Sequence, residues 1–195
     1  MRKIMKIIAA GVLIITVLCV AARIIYVQFA YPSTKITMLD MGDVIDTGDY
    51  LISISSASCF DKQEWEAYVE GQGITLERDL YGDDTEDLAA IMMYDADADY
   101  KVIAVDVEVT NNTDEVREES MGRLCGINTP VRRMAINYYY TKKLQPEGEI
   151  ESTKVTLNPG ETQKWRYYYI VEELYKQYFF EYVKIGDIQR IPLSF

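Results

Sequence analysis

Apolar and polar residues alternate along several short segments of this chain, most clearly from Val102 to Glu115. In an extended chain successive side chains point to opposite faces, so one face of this segment is aliphatic. That face consists of Ile103, Val105, Val107 and Val109. The opposite face is mixed and consists of Val102, Ala104, Asp106 and Glu108. The pattern predicts a strand with one face in a core, and leaves open what the other face does.

Other segments with strand character are bounded by turn residues. They are Lys35 to Leu39, Tyr50 to Ser58, Lys101 to Thr110, Arg133 to Tyr140, Thr153 to Leu157, Thr162 to Tyr169, Phe179 to Ile185 and Ile188 to Leu193. The tetrapeptide Asn158-Pro159-Gly160-Glu161 predicts a type II turn, because Pro fixes φ and Gly accepts positive φ. Seven or eight such strands predict an antiparallel β-sandwich. We expect its core to place the aliphatic face against strands that carry Trp165 and Tyr167.

Two segments between the second strand and the strand at 101 have helical character. Asp61 to Gly71 predicts a short amphipathic turn or helix with Trp65 and Tyr68. The segment from Asp83 to Asp99 predicts a second short helix, with Asp84 as a candidate cap and an apolar stripe of Leu88, Ile91 and Met92. A further short helix is a candidate at Val171 to Lys176.

The amino terminus has the pattern of a membrane anchor. Residues 1–6 carry three positive charges, and Ile7 to Ala22 contains no charged residue. Sixteen helical residues span about 24 Å of the roughly 30 Å hydrocarbon core, and an extension past Arg23 completes the length. We therefore predict a basic cytoplasmic tail at 1–6, a transmembrane helix in contact with lipid at 7–29, and an exported domain at 33–195.

A cleaved signal peptide and a buried core helix are the other interpretations of this segment. Ala21 and Ala22 are small residues of the kind found before a signal-peptidase cleavage site, and cleavage would release a secreted domain. Leu18 precedes Cys19, where lipoprotein signals carry a small residue, and this argues against a lipid-modified cysteine.

Charge and composition exclude several classes of function. Residues 33–195 carry 16 basic and 31 acidic residues, a balance that disfavours nucleic-acid binding. The chain has no histidine, so His-activated nucleophiles and His-ligated metal sites are excluded. It also has no Ser-x-x-Lys, Gly-x-Ser-x-Gly or nucleotide-binding motif. We therefore expect a protein that is not an enzyme and needs no cofactor.

Three stretches appear in a recognisable order: "GDVIDTGDYLISISSASCFD", "YKVIAVDVEVTNNTDE" and "TLNPGETQKWRYYYIV". They resemble the telokin-like, immunoglobulin-like (Ig-like) domains of uncharacterised membrane-anchored proteins of Gram-positive bacteria. The resemblance covers about residues 35–195 and departs most at 60–98. It implies a mainly β, Ig-like antiparallel sandwich of seven or eight strands with one or two short helices. It also implies an N-terminal transmembrane helix that precedes this domain. It carries no catalytic residue across.

Two small groups of residues are candidate sites. Asp95, Asp97 and Asp99 have the spacing of oxygen ligands in a calcium loop, although the glycine of an EF-hand is missing, and a solvated acidic loop is the alternative. Cys59 and Cys125 are the thiols outside the membrane segment. An exported domain could oxidise them to a disulfide, and two unrelated buried thiols are the alternative.

Tyrosine is abundant, with 16 residues, and two Tyr triplets lie in predicted strands. Cross-strand packing is the ordinary role of such rings. If Tyr139 and Tyr168 were adjacent and exposed, they would instead form an aromatic platform for a glycan or peptide. The sequence Asn111-Asn112-Thr113 matches the N-glycosylation pattern, but we interpret it as a turn.

The function favoured by these observations is a membrane-anchored, surface-facing interaction module with a protein, peptide or glycan partner. A small carboxylate-dependent hydrolase or cation-binding enzyme is an alternative from a different class, because acidic residues are abundant. A further alternative follows from the negative charge: capture of cationic peptides at the membrane surface by an immunity-like protein.

Overall fold

The described part of the chain contains eleven strands, three short helices and a helical stretch over 16–24. The computed structural model describes residues 16–24, 26, 34–74, 99–130, 132–172, 175–184 and 186–195. The elements are β1 (Lys35–Met38), β2 (Val44–Asp46), β3 (Tyr50–Asp61), α1 (Lys62–Gly71), β4 (Tyr100–Asn111), β5 (Arg117–Ser120), α2 (Met121–Leu124), β6 (Gly126–Asn128), β7 (Arg133–Met134), α3 (Tyr138–Lys143), β8 (Lys154–Leu157), β9 (Thr162–Glu172), β10 (Tyr178–Lys184) and β11 (Asp187–Leu193).

The strands form three sheets. Sheet I has the order β1-β11-β10-β6-β7, sheet II the order β2-β3-β4-β9, and sheet III pairs β5 with β8. Within sheet II, β4 pairs antiparallel with β3 and with β9 along nearly its whole length. Buried residues of sheet I and sheet II belong to one core cluster. The protein is therefore a mainly β sandwich with a few short helices.

The aliphatic face of β4 lies in this core. Ile103, Val105 and Val109 are fully buried, and each such side chain contributes roughly 1.5–3 kcal/mol of transfer free energy. Val105 pairs with Tyr167 and Val107 with Trp165 on β9, so the aromatic residues lie beside the aliphatics in the same sheet. The expectation that they would lie on facing strands was wrong. The core residues from sheet I include Ile127, Phe180 and Ile191.

Two local predictions were correct. Asp61 caps α1 in a capping box with Glu64: the Glu64 amide donates to Asp61 Oδ1 at 2.8 Å, and Glu64 Oε2 accepts from the Asp61 amide at 3.1 Å. Gly160 has φ +72°, and the Glu161 amide donates to the Asn158 carbonyl at 3.0 Å, as a type II turn requires.

Two other local predictions were wrong. The segment from Arg133 to Tyr140 is not one strand: β7 ends at Met134, and Asn137 caps α3 by accepting a hydrogen bond from the Tyr140 amide at 3.0 Å. Strand β9 continues to Glu172 through the start of the helix predicted at Val171 to Lys176, because β4 pairs with it up to that residue. The helix predicted in the segment from Asp83 to Asp99 lies outside the described residues, which resume at Asp99.

The chain divides into two compact units. The first comprises Met1–Lys35 and Ile185–Asp187, and its described part includes a helical stretch over 16–24. Among the described residues, no helix combines the length and the apolar character needed to cross a bilayer. The second unit comprises Ile36–Lys184 and Ile188–Phe195 and contains the core.

Candidate functional site

The outer face of sheet II, turned away from the main core, is divided into an apolar part and a charged part. In the apolar part Val102, Ala104 and Tyr168 are covered by α1 and α3. Trp65 of α1 is fully buried there, with its ring 5.4 Å from that of Tyr168. A second, smaller core therefore lies between the sheet and the two helices.

This second core decides the role of the tyrosine triplets. Tyr139 is 8% exposed and Tyr168 is 1% exposed, so they do not form a surface platform. Tyr168 donates through its hydroxyl to the Leu144 carbonyl at 3.1 Å, which satisfies the polar end of the ring. The aromatic-platform hypothesis was wrong, because Tyr168 lies under the two helices and Tyr139, a residue of α3, is buried in the same small core.

The charged part of the outer face centres on Asp106 and Arg166, which face each other on neighbouring strands. Arg166 donates in a fork to both oxygens of Asp106, with Nε 2.6 Å from Oδ1 and Nη2 2.7 Å from Oδ2. The hydroxyl of Ser56 donates to Oδ2 at 2.5 Å. Ser56 follows a break in the β3–β4 register, a bulge of the kind that re-aims side chains.

These contacts fix the protonation state of Asp106. Burial alone would raise the pKa of its carboxyl, but the hydrogen bonds from Arg166 and Ser56, together with the Arg166 charge, outweigh burial. The pKa of Asp106 therefore lies below its ordinary value, and that of Arg166 lies above. At neutral pH Asp106 is therefore a carboxylate whose oxygens accept hydrogen bonds from Arg166 and Ser56, which makes it a poor general acid or base.

Gln145, which follows α3, fastens the adjacent loop to the edge of β9. Its Nε2 donates to the Arg166 carbonyl at 2.8 Å, and its Oε1 accepts from the Arg166 amide at 2.9 Å. The side-chain amide thus pairs with the edge as another strand would. Tyr168 is held next to it, since its amide donates to Thr141 Oγ1 at 3.2 Å.

A groove of about 700 Å³ lies along this edge. Its described lining is Ser55, Asp106, Val107, Gln145, Pro146, Glu147, Ile150, Ser152, Val155, Thr162, Gln163, Lys164, Trp165 and Arg166. Hydroxyl, amide, carboxylate and cationic groups line the groove together with the edge of an indole and a few aliphatics. Such a wall can donate and accept hydrogen bonds along a polar ligand that also has apolar parts.

The acidic candidate site cannot be placed in full. Asp95 and Asp97 lie outside the described residues, and Asp99 is exposed. Within the ranges that the structure describes, no group of three or more acidic or cysteine residues is arranged to hold a metal ion. The cation site stays a prediction from the sequence.

Cys59 and Cys125 are free thiols in this structure, so the predicted disulfide is not formed in it. Cys125 is buried in the main core, and Cys59 packs against the same core from β3. Burial raises the pKa of both thiols. Because the thiolate is the reactive form, neither cysteine has the setting of an activated nucleophile.

Asn111 of the Asn-x-Thr pattern is fully buried at the end of β4. Its amide nitrogen donates to the carbonyls of Glu115 at 2.8 Å and Leu157 at 3.0 Å. Its oxygen accepts from the Thr113 amide at 3.0 Å and from the Thr113 hydroxyl at 2.8 Å. The interpretation of this sequence as a turn is thus supported by a complete set of hydrogen bonds.

The sequence pattern does not identify the groove. The pattern places Asp106 on the non-core face of β4, but no residue near Asp106 in the sequence points to Arg166, sixty residues away. The signal in the sequence is one charged residue on the non-core face of each of two alternating strands. Such residues are too common to single out this pair.

No family model matches this chain, and no curated protein matches it. Three solved structures are similar. An uncharacterized β-sandwich protein from Clostridium difficile 630 has a TM-score of 0.45 and 12% identity over 83% of this chain and 97% of that chain. A candidate lipoprotein from Bacillus subtilis has a TM-score of 0.45 and 14% identity over 80% of this chain and 39% of that chain. A functionally unknown protein from Listeria monocytogenes has a TM-score of 0.41 and 10% identity over 78% of this chain and 80% of that chain.

Proposed function

We propose that this chain is a membrane-anchored binding module whose ligand, a peptide or a glycan, lies in the groove along β9. The observation that carries the proposal is that the groove is built before any ligand arrives. Arg166 is fixed by Asp106 on one side, and Gln145 fixes the facing loop through both the nitrogen and the oxygen of its side-chain amide. Because these side chains are already ordered, little conformational entropy is lost when a ligand binds.

A binding role fits this groove better than catalysis. The hydrolase alternative requires two converging carboxyl groups, one of them held protonated. The acidic residues in the described lining are Asp106 and Glu147, and Asp106 is kept ionised by Arg166. The groove instead presents donors and acceptors whose positions are set by the sheet.

The proposed location is outside a cell membrane, with residues 7–29 as the anchor. The basic residues before Ile7 support this orientation. The helical residues 16–24 expose Val17, Leu18 and Ile24 by more than half, an arrangement that suits a lipid environment. Sheets I and II closing over a common core support the Ig-like interpretation of the exported part.

The proposal is tested by probing arrays of short peptides and of bacterial cell-wall glycans with the full chain in a mild detergent. Glu147 lines the groove and is exposed, so Glu147→Trp should fill the groove with little effect on folding. Glu70 is an exposed glutamate on α1 outside the groove, and Glu70→Trp is the matched control.

We expect the parent chain and Glu70→Trp to bind the same array members, and Glu147→Trp to lose them. The proposal would be overturned if the parent chain bound no member of either array. It would also be overturned if Glu147→Trp bound the same members as tightly as the parent chain.

A further inference from the structure

A second polar cluster lies on the outer face of sheet I, and it is built around a buried acid. Glu181 of β10 is 3% exposed. Arg190 of β11 places Nε 2.9 Å from Glu181 Oε2, and Arg133 of β7 places Nε 3.5 Å from Glu181 Oε1. One carboxylate thus holds two guanidinium groups, one from the neighbouring strand β11 and one that reaches across β6 from β7.

A glycine makes room for one of these arginines. Gly126 is the register partner of Glu181 on β6. A Cβ atom at this position would lie 2.7 Å from Arg133 Nε and 2.8 Å from the Met134 carbonyl oxygen, closer than van der Waals contact allows. The guanidinium of Arg133 therefore depends on the absence of a side chain at Gly126.

Two further contacts organise the same surface. Arg132 donates through Nη2 to Glu172 Oε1 at 2.8 Å. In the amide orientation that satisfies both of its polar groups, Asn128 accepts from Arg190 Nη2 at 2.8 Å. The arginines are thus positioned by the protein, while side-chain N–H groups beyond these bonds remain in the wall of the cavity.

The cavity has a volume of about 580 Å³. Its described lining is Asn128, Thr129, Pro130, Arg132, Arg133, Gln177, Phe179 and Arg190. The charged members of this lining are all arginines, whereas Glu172 and Glu181 contact them from outside the wall. Three arginines against two glutamates leave one positive charge in surplus, on a chain whose net charge is -11.

We infer that this cavity binds the carboxylate of a small organic anion. Guanidinium forks match the planar geometry of a carboxylate, and a single negative charge balances the surplus. The cavity is larger than one carboxylate group, and Phe179, whose ring lies 5.9 Å from the Arg190 guanidinium carbon, offers an apolar surface to the rest of the ligand. This site is separate from the groove along β9, and neither depends on the other.

The test compares benzoate with its neutral analogue benzamide, using ligand-observed NMR on the full chain in detergent. We expect benzoate to bind more tightly, and added salt to weaken its binding. Arg132→Gln should weaken benzoate binding roughly tenfold and leave benzamide unchanged, because one charge-assisted contact is lost. Arg132 is 43% exposed, so this substitution should leave the fold intact.

The matched control is Arg117→Gln, which removes a similarly exposed arginine, 39% accessible and paired with Asp49 outside this cavity. It should leave benzoate binding unchanged. Equal affinity for benzoate and benzamide, equal effects of the two substitutions, or no benzoate binding at millimolar concentration would each overturn the inference.

Discussion

Two clusters on opposite outer faces of the sandwich each pair a carboxylate with arginine, but the number of arginines differs. On sheet II, Asp106 meets one arginine, Arg166, and both partners are partly accessible. On sheet I, Glu181 meets two arginines, Arg133 and Arg190, and the glutamate side chain is only 4% exposed. The first cluster is neutral in itself, whereas the second leaves positive charge for something else to balance.

The difference in stoichiometry indicates that the Asp106 cluster has a structural role and the Glu181 cluster a role in recognition. A closed one-to-one pair has its donors and acceptors largely satisfied, so its contribution is to fix the positions of neighbouring groups. Burying a carboxylate costs desolvation free energy, and the two guanidinium groups beside it offset that cost. Removing one partner leaves a buried charge uncompensated. The two clusters should therefore respond differently when the acid is removed.

The largest expected effect comes from Glu181→Gln. This change leaves two arginines around a neutral amide, and we expect a loss of about 2–4 kcal/mol in the free energy of unfolding, somewhat below the range for fully buried pairs. Urea unfolding followed by tryptophan fluorescence measures it, because Trp65 and Trp165 are both buried.

The control for this change is Glu108→Gln, which breaks the surface pair of the partly accessible Glu108 with the exposed Lys164 and should cost less than about 0.5 kcal/mol. If the two substitutions had equal effects, the buried cluster would not have the energetic role assigned to it.

Gly126→Ala should have the next largest effect. The added methyl group displaces the Arg133 guanidinium or the Met134 carbonyl, at an expected cost of about 1–3 kcal/mol. Gly71→Ala is the control, since a Cβ there meets nothing within 4 Å and Ala favours the helix. Thermal unfolding of both variants decides the point, and an unchanged midpoint for Gly126→Ala would contradict the close approach of Arg133.

Asp106→Asn should cost less, about 1–2 kcal/mol, because the asparagine oxygen can still accept one bond from Arg166 and the site is partly hydrated. The same urea titration measures the loss. A loss larger than that of Glu181→Gln would reverse the ranking of the two clusters.

The pH dependence of Asp106 gives the smallest and most specific effect. Its folded pKa lies below the ordinary value of 3.8, so its contribution is fully present above that value and is lost as pH falls through the folded pKa. The stability difference between the parent chain and Asp106→Asn should therefore shrink as the solution is acidified below the ordinary pKa. A difference that is constant with pH would show that Asp106 titrates normally.

The sequence could predict the elements governed by local pattern. The alternation of Ile103, Val105, Val107 and Val109 predicted β4 and its buried face, and Pro159-Gly160 predicted the turn between β8 and β9. Asp61 and the apolar positions Trp65 and Tyr68 indicated α1. In each case residues within a few positions of one another determine the structure.

The sequence could not predict what depends on distant residues. Met134, Ile136, Tyr138 and Tyr140 alternate as in a strand, but Asn137 starts a helix that buries consecutive tyrosines against the outer face of sheet II. Both ion-paired clusters join residues far apart in sequence, and the room at Gly126 follows only from strand pairing. Such contacts leave no periodic signal in one sequence.

The most direct test of the central claim, a binding module and not an enzyme, is the mass of a ligand recovered from the protein. A peptide or glycan captured by the full chain would be incubated with it, released by denaturation and weighed by mass spectrometry beside a sample never exposed to protein. We predict an unchanged mass and retention that Glu147→Trp abolishes. The account would be contradicted if the ligand recovered from the parent chain had the mass of a cleaved or hydrated product and the ligand incubated with Glu147→Trp did not.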